Sequence, residues 1–192
     1  MSALERNPQV PALSSNNEVF IANIEAGNDQ QLIIRDLVES YGLKIGYSKS
    51  AGEICAISTL ESIFSKYGYH VLDHVLRLCI ATWEGEDNSF SANILNAIAK
   101  LITTYGETLN DETFKEKLSA ISIKQLIRTA KERRPGMLGV AEVMIIEYNG
   151  RKKTASLTRL PMRLLYEKPK HNQEPDTMSL FSSVDSDRKS VV

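Results

Sequence analysis

Residues 91–106, SANILNAIAKLITTYG, decide the fold class of this chain. Large aliphatic side chains recur here at intervals of one, three and four residues: Ile94, Leu95, Ile98, Leu101 and Ile102. This spacing places them on one face of an α-helix, because the helix repeats about every 3.6 residues. Gly106 follows the pattern directly and is a typical helix end. The stretch therefore predicts a helix with one face buried in a core.

The same pattern recurs on both sides of this helix. Further helices are predicted over residues 18–26, 28–42, 58–68, 71–83, 111–118, 123–134 and 138–148. Two of them begin with a capping box, Ser58 with Glu61 and Ser122 with Gln125, in which each side chain satisfies a free backbone amide. Glycines or a Pro-Gly pair follow most of these segments and end them.

Two other kinds of segment complete the prediction. Residues 43–48 and 53–57 are short apolar or alternating runs around Lys49-Ser50-Ala51-Gly52, which predicts a small β-hairpin. Residues 1–17 are polar and predict a flexible lead-in, and residues 164–192 predict a disordered tail. The predicted fold is mainly α: a compact multi-helix domain over residues 18–163, with one small β-hairpin and disordered termini.

The composition is that of a one-domain globular protein. The chain has 192 residues, of which 42% are hydrophobic, enough for one core. No apolar run approaches the roughly 20 residues of a membrane-spanning helix, and the N-terminus does not have a secretory signal. Cys55 and Cys79 have no zinc-like spacing and are predicted to be reduced core thiols. These features predict a soluble cytoplasmic protein with no membrane partner.

The charges are unevenly distributed, although the formal net charge is only −1. Residues 1–114 contain 7 basic and 15 acidic side chains, which gives a net charge of −8. Residues 115–168 contain 13 basic and 5 acidic side chains, which gives +8. This polarity favours a face for an anionic partner, which the net charge of the whole chain conceals.

The basic region follows a helical pattern. The candidate nucleic-acid-binding residues are Lys124, Arg128, Lys131, Arg133, Arg134, Arg151, Lys152 and Lys153. The first three recur at i, i+4 and i+7, which suits contacts with phosphates rather than with bases. The helices at 111–118 and 123–134 also have the order of a helix–turn–helix. The alternatives are a solvated basic surface, or a basic surface that pairs with the acidic half of the chain.

No catalytic motif is found in the sequence. It contains neither a GxSxG nucleophile motif nor a GxxxxGK[ST] phosphate loop. His70 and His74 have a zinc-binding spacing, but the sequence HVLDH does not have the Glu of a zinc protease after its first His. We therefore predict a non-enzymatic protein without cofactor or metal. An enzyme acting on nucleic acid would need His70, Asp73 and His74 to meet Glu84 or Asp87 in one basic cleft.

A series of short motifs, taken in order, resembles a known family. The motifs are EAGND at 25–29, GLKIG at 42–46, Leu60-Glu61, Trp83–Gly85, Tyr105-Gly106, Tyr148-Asn149 and Arg159–Pro161. Over residues 23–161 the chain resembles the C-terminal helical region of ParB-like proteins. In these bacterial and phage proteins a ParB/sulfiredoxin-like domain comes first. Only about 20 residues precede the helical region here, so we expect that domain and its chemistry to be missing.

The resemblance implies an accessory helical domain from a bacterial or phage DNA-associated system. Together with the basic region, it gives our leading hypothesis: a non-enzymatic protein that binds DNA phosphates through its basic C-terminal third. The alternative hypothesis is a protein-interaction module, such as a phage protein that engages a host factor. In that case the basic residues would contact an acidic protein surface, including the acidic half of a second copy in a homo-oligomer.

Overall fold

The computed structural model describes residues 15–150 and 159–168. These residues contain eight α-helices: α1 (Ser15–Glu25), α2 (Asp29–Ser40), α3 (Ile57–Tyr67), α4 (Tyr69–Trp83), α5 (Ala92–Tyr105), α6 (Asp111–Leu118), α7 (Ile123–Arg133) and α8 (Met137–Asn149). Two short strands, β1 (Lys44–Ile45) and β2 (Glu53–Ile54), lie between α2 and α3. Residues Gly106–Thr108 and Met162–Tyr166 form 3₁₀ turns. The predicted mainly α fold is confirmed.

The core lies between α4, α5 and α8. Helix α5 packs against both α4 and α8, α7 packs against α8, and α3 joins α1 and α2 to this centre. Every residue from Gly139 to Ile145 in α8 is buried. A helix surrounded by other elements is apolar on all sides. For this reason the sequence of α8 has no single apolar stripe, whereas α5 has one.

The two strands do not form the predicted hairpin, because they pair in parallel. The amide of Gly46 donates to the carbonyl of Ile54 at 3.1 Å. In the loop between the strands, the hydroxyl of Ser48 donates to the carboxylate of Glu53 at 2.5 Å. Residues 46–52 therefore make a complete loop that returns the chain to its original direction, whereas a hairpin turn would reverse it.

The two predicted capping boxes have different outcomes. Helix α3 already begins at Ile57, so Ser58 lies inside the helix and does not cap it. The carboxylate of Glu61 instead accepts a hydrogen bond from the side-chain amide of Gln31 at 2.7 Å. At α7 the hydroxyl of Ser122 accepts from the amide of Gln125 at 3.2 Å, so this cap is confirmed on the serine side.

Residues 159–168 form a segment, here called the C-terminal strap, that packs on the helices. Leu160 is 1% exposed and Leu165 is 2% exposed, so both side chains are part of the core. The prediction that disorder begins at residue 164 is therefore wrong for residues 164–168. The apolar side chains of this segment are separated by irregular intervals, so sequence periodicity does not reveal it.

Two side chains hold the start of the strap. Asn149, the last residue of α8, donates from its side-chain amide to the carbonyl of Leu160 at 2.9 Å and accepts from the amide of Leu160 at 2.8 Å. The hydroxyl of Tyr105 at the end of α5 donates to the carbonyl of Pro161 at 2.7 Å. The strap is thereby fixed to the two most buried helices.

Trp83 connects α4 to the turn between α6 and α7. Its side chain is buried, and the indole N–H donates to the carbonyl of Ile121 at 3.0 Å. Its ring meets the ring of Phe114 in α6 edge to face, with centroids 5.9 Å apart and an angle of 84°. One residue therefore positions both α6 and the point from which α7 begins.

We expect the substitution Trp83→Phe to lower the free energy of unfolding by about 2 kcal/mol, because it leaves the buried carbonyl of Ile121 without its donor. Urea unfolding followed by circular dichroism measures this loss. Tyr47→Phe, at an exposed tyrosine, is the control and should change stability by less than about 0.5 kcal/mol. Equal stability of the two variants would contradict the role assigned to Trp83.

We also expect a loss of stability at alkaline pH from Tyr105, because burial raises the pKa of its hydroxyl to about 12. The neutral phenol is favoured in the folded state, so this contribution is complete below the unfolded pKa of 10.0 and is lost as the pH rises toward 12. Urea unfolding across this range measures it. The stability advantage of the wild type over Tyr105→Phe should shrink as the pH rises, and a constant difference would contradict the assignment.

Candidate nucleic-acid interface

Helix α7 presents three cations to solvent. Its inner side chains, Ile123, Leu126 and Ala130, are buried, and the exposed side chains Lys124, Arg128 and Lys131 follow the opposite side of the helix. We refer to these three cations as the α7 basic row. Among the residues that the structure describes, none of the three takes part in an ion pair. No carboxylate in the described part of the chain therefore forms an ion pair with the row.

The first turn of α7 is held by two acceptors. Ser122 caps the amide of Gln125, and the carboxylate of Glu86 accepts from the amide of Ile123 at 2.8 Å. Glu86 lies in the acidic turn after α4, far away in the sequence. A carboxylate at a helix N-terminus also interacts favourably with the helix dipole. The acidic turn thus fixes the start of the helix that carries the α7 basic row.

The α7 basic row borders a groove of about 660 Å³. Glu86, Asp87 and Asn88 line the groove together with the three cations and with Ile123 and Ile127. Asp87 accepts a hydrogen bond from the backbone amide of Ala51 at 3.2 Å, so this acidic turn is also attached to the loop between the strands. The groove has one basic wall, one acidic wall and apolar side chains between them.

Arg133 and Arg134 do not continue the α7 basic row. Arg133 Nε lies 3.3 Å from Glu142 Oε2, and Arg134 Nε lies 3.6 Å from Glu142 Oε1. The hydroxyl of Tyr166 in the strap donates to the same carboxylate. The Glu142 side chain is only 10% exposed. A buried carboxylate therefore engages both arginines, and their contact with phosphate stays a prediction.

Gly139 allows α8 to begin close to the end of α7. A Cβ atom at this position would collide with the carbonyl oxygen of Arg134 and would lie 2.8 Å from the carbonyl oxygen of Ala130. Since backbone atoms cannot yield as a flexible side chain does, this corner requires glycine. The close approach brings Glu142, one turn further along α8, to the two arginines.

The remaining predicted contacts, Arg151, Lys152 and Lys153, lie outside the described residues. Their neighbours on each side are described: Gly150 ends α8, and Leu160 is held by the side chain of Asn149. Of the eight predicted residues, the structure thus places three together on the α7 basic row and two at Glu142.

The helices of the predicted helix–turn–helix are both present. Asn110 caps α6 by accepting from the amide of Thr113 at 2.9 Å. Helix α6 packs against α4 and α8, and α7 packs against α8. The intervening turn contains Ile121, which is buried and bonded to Trp83. The helix–turn–helix arrangement itself stays a prediction.

The residues considered for catalysis are engaged in separate contacts. His74 Nε2 lies 2.8 Å from Asp111 Oδ1 in α6, whereas His70 is exposed. Asp73 accepts from the hydroxyl of Tyr41 at 2.5 Å and lies 3.8 Å from Arg77. Within residues 15–150 and 159–168, no three His, Cys, Asp or Glu side chains lie together in a way that would hold a metal ion.

The cysteines are free thiols. Cys79 is fully buried, and its thiol donates to the carbonyl of Ser89 at 3.2 Å. Burial raises the pKa of this thiol, so the reactive thiolate is disfavoured. Cys55 is half-buried, so the prediction of a core thiol holds fully for Cys79 alone.

Sequence reasoning missed the two carboxylates that organise this region, Glu86 and Glu142. Glu86 gives no sequence signal, because it acts on an amide 37 positions away. Glu142 does give one: it is the single charged residue in the run GMLGVAEVMII, from 136 to 146. A buried carboxylate requires a partner, so this residue points to a cation nearby.

The comparisons with known proteins concern the same helical region. The sequence model of a family described as a family of unknown function, DUF6551, matches residues 15–164. No curated protein and no solved structure matches the chain. None of the helices in the described part of the chain combines the length and hydropathy needed to cross a bilayer.

We expect Glu142→Gln to lower the free energy of unfolding by about 1 kcal/mol, because it removes the charge shared by two half-exposed arginines. Urea unfolding of this variant, of Arg134→Gln and of the double variant gives the coupling energy between the two side chains. Glu167→Gln is the control, since Glu167 forms an exposed ion pair with Arg163 at 3.0 Å. Strictly additive effects at Glu142 and Arg134 would contradict the proposed contact.

Proposed function

We propose that this chain, which belongs to the DUF6551 family, binds nucleic-acid phosphates without catalysing a reaction. The single observation that carries the proposal is the α7 basic row, in which three exposed cations on one helix face have no ion pair among the described residues. Arg151, Lys152 and Lys153, which lie outside the described residues, are the other predicted phosphate contacts of this proposal. The resemblance to ParB-like proteins supports the same kind of partner.

The dimensions of the α7 basic row suit a phosphate backbone. Lys124 and Lys131 are separated by seven residues, or about 10 Å along the helix axis. Every nucleotide of a DNA strand carries one phosphate charge, so a row of this length can contact more than one phosphate of the same strand. Contacts of this type fix the position of a protein on a duplex without reading its sequence. We therefore propose binding with little sequence preference.

The test is the affinity of the full chain for a short labelled DNA duplex, measured by fluorescence anisotropy over a range of salt concentrations. The triple variant Lys124→Gln, Arg128→Gln, Lys131→Gln should bind at least tenfold more weakly. It should also flatten the plot of log affinity against log salt by a slope of about 2 to 3, because each phosphate contact contributes about 0.9.

A control variant with the same change of charge separates a local effect from a general one. The control is the triple variant Lys44→Gln, Arg77→Gln, Lys117→Gln. It removes one arginine and two lysines from other exposed positions. This control should retain most of the affinity and of the salt slope. Absence of binding at low salt, or equal losses in the two triple variants, would contradict the proposal. A further triple variant at Arg151, Lys152 and Lys153 measures their share.

The acidic wall of the groove favours a second candidate function, a protein-interaction module. Glu86 and Asp87 would repel phosphates, whereas a protein segment that carries both charges would suit a groove with a basic and an acidic wall. Sedimentation of the chain at increasing concentrations tests the case of a second copy. A dimer that dissociates in the variant of the α7 basic row supports this function, and a monomer at all concentrations contradicts self-association.

A further inference from the structure

A second pocket, of about 450 Å³, lies away from the α7 basic row. Residues of α3, α5, α8 and the C-terminal strap line it. Its apolar lining includes the buried side chains Ile63 and Leu165 and the half-buried Met137 and Leu138. Pockets of this size in proteins accommodate small organic molecules, and their apolar lining contacts the body of the ligand.

The charged lining of this pocket is mainly basic. Lys66, Lys100 and Lys168 line it, and no ion pair involves any of them among the described residues. Glu167 is the acidic residue of the lining, and it pairs with Arg163 at 3.0 Å. The pocket therefore has an excess of positive charge beside an apolar surface.

Lys100 is the least exposed of these three cations. It lies on α5, the central helix, and is half-buried. Its ammonium group pairs with no carboxylate among the described residues, so its place in the lining suits an anionic ligand. Asn96 lies one turn earlier on α5 and lines the same pocket, with a side-chain amide that both donates and accepts. A charged donor and an amide thus lie next to each other on a rigid helix.

Tyr166 supplies an aromatic ring that is held in place. Its hydroxyl donates to Glu142, and the guanidinium carbon of Arg134 lies 5.1 Å from its ring centroid. Tyr166 is nevertheless 45% exposed and lines the pocket. Aromatic rings of this kind bind the flat face of a nucleobase, and stacking does not require a particular base.

We propose that this pocket binds a mononucleotide. Its phosphate would contact Lys100 and Lys66, and its base would lie against Tyr166 and the apolar side chains. This ligand class matches three observations together: cations that have no ion pair among the described residues, a fixed aromatic ring and an apolar lining. Lys66 Nζ lies 5.0 Å from the ring centroid of Tyr67, which also lines the pocket. Inorganic phosphate would leave the ring of Tyr166 and the apolar side chains without a partner. The proposal does not depend on the α7 basic row, because the two sites share no lining residue.

The test is titration of the full chain with AMP, adenosine and inorganic phosphate, followed by ¹H–¹⁵N correlation spectra and calorimetry. AMP should bind with saturation and shift the amide signals of α5 and the strap, and it should bind more tightly than either fragment. Lys100→Met retains most of the side-chain packing and should weaken AMP binding by at least about tenfold. Lys115→Met, at an exposed position on α6, should leave it unchanged.

Other outcomes would overturn the proposal. No saturable shift with AMP at millimolar concentrations, or equal affinity in Lys100→Met and the wild type, would contradict a nucleotide site. Tighter binding of dodecyl phosphate than of AMP would assign the pocket to a lipid-like anion. The triple variant of the α7 basic row should bind AMP normally, so the two sites are tested separately.

Discussion

The contact of Trp83 with the turn before α7 is the constraint on which the rest of the structure depends. Its indole N–H donates to the carbonyl of Ile121, and its ring packs against the ring of Phe114. Helices α4 and α6 and the start of α7 therefore meet at one side chain. Glu86 fixes the same turn from the outside, because its carboxylate binds the first amide of α7. The direction in which α7 leaves this point decides which of its side chains meet α8 and which meet solvent.

The positive charge of α7 is divided between two roles as a result. At the C-terminal end, Gly139 lets α8 approach so closely that Glu142 engages Arg133 and Arg134. Further back, no acidic residue in the described part of the chain lies within ion-pair distance of Lys124, Arg128 or Lys131, and these cations are exposed to solvent. Arg134 then contributes to a different region by contacting the ring of Tyr166. The end of α7 is thus part of the architecture around the second pocket, whereas its middle forms the α7 basic row.

The sequence predicted the helices well, because each has a local signal: an apolar period, an end glycine or a cap. It predicted the strands but not their direction, since a two-residue strand contains no information about the path of the loop between strands. For the candidate site, the α7 basic row follows from periodicity alone. The partners of Arg133 and Arg134 do not, because Glu142 becomes their neighbour only after α8 folds back on α7. The second pocket is formed by residues from four segments, and no pattern in the sequence connects them.

The two hydrogen bonds between Asn149 and Leu160 hold the start of the strap directly at the end of α8. The side chain of Asn149 bonds to both the amide and the carbonyl of Leu160, and the hydroxyl of Tyr105 donates to the carbonyl of Pro161. These three hydrogen bonds set the position of the strap. The length of the chain between Asn149 and Leu160 does not set the position of the strap. Lengthening a connection whose ends are already fixed costs little free energy, since loop entropy changes slowly with length. The two ends of this connection therefore keep their positions on the core independently of its length.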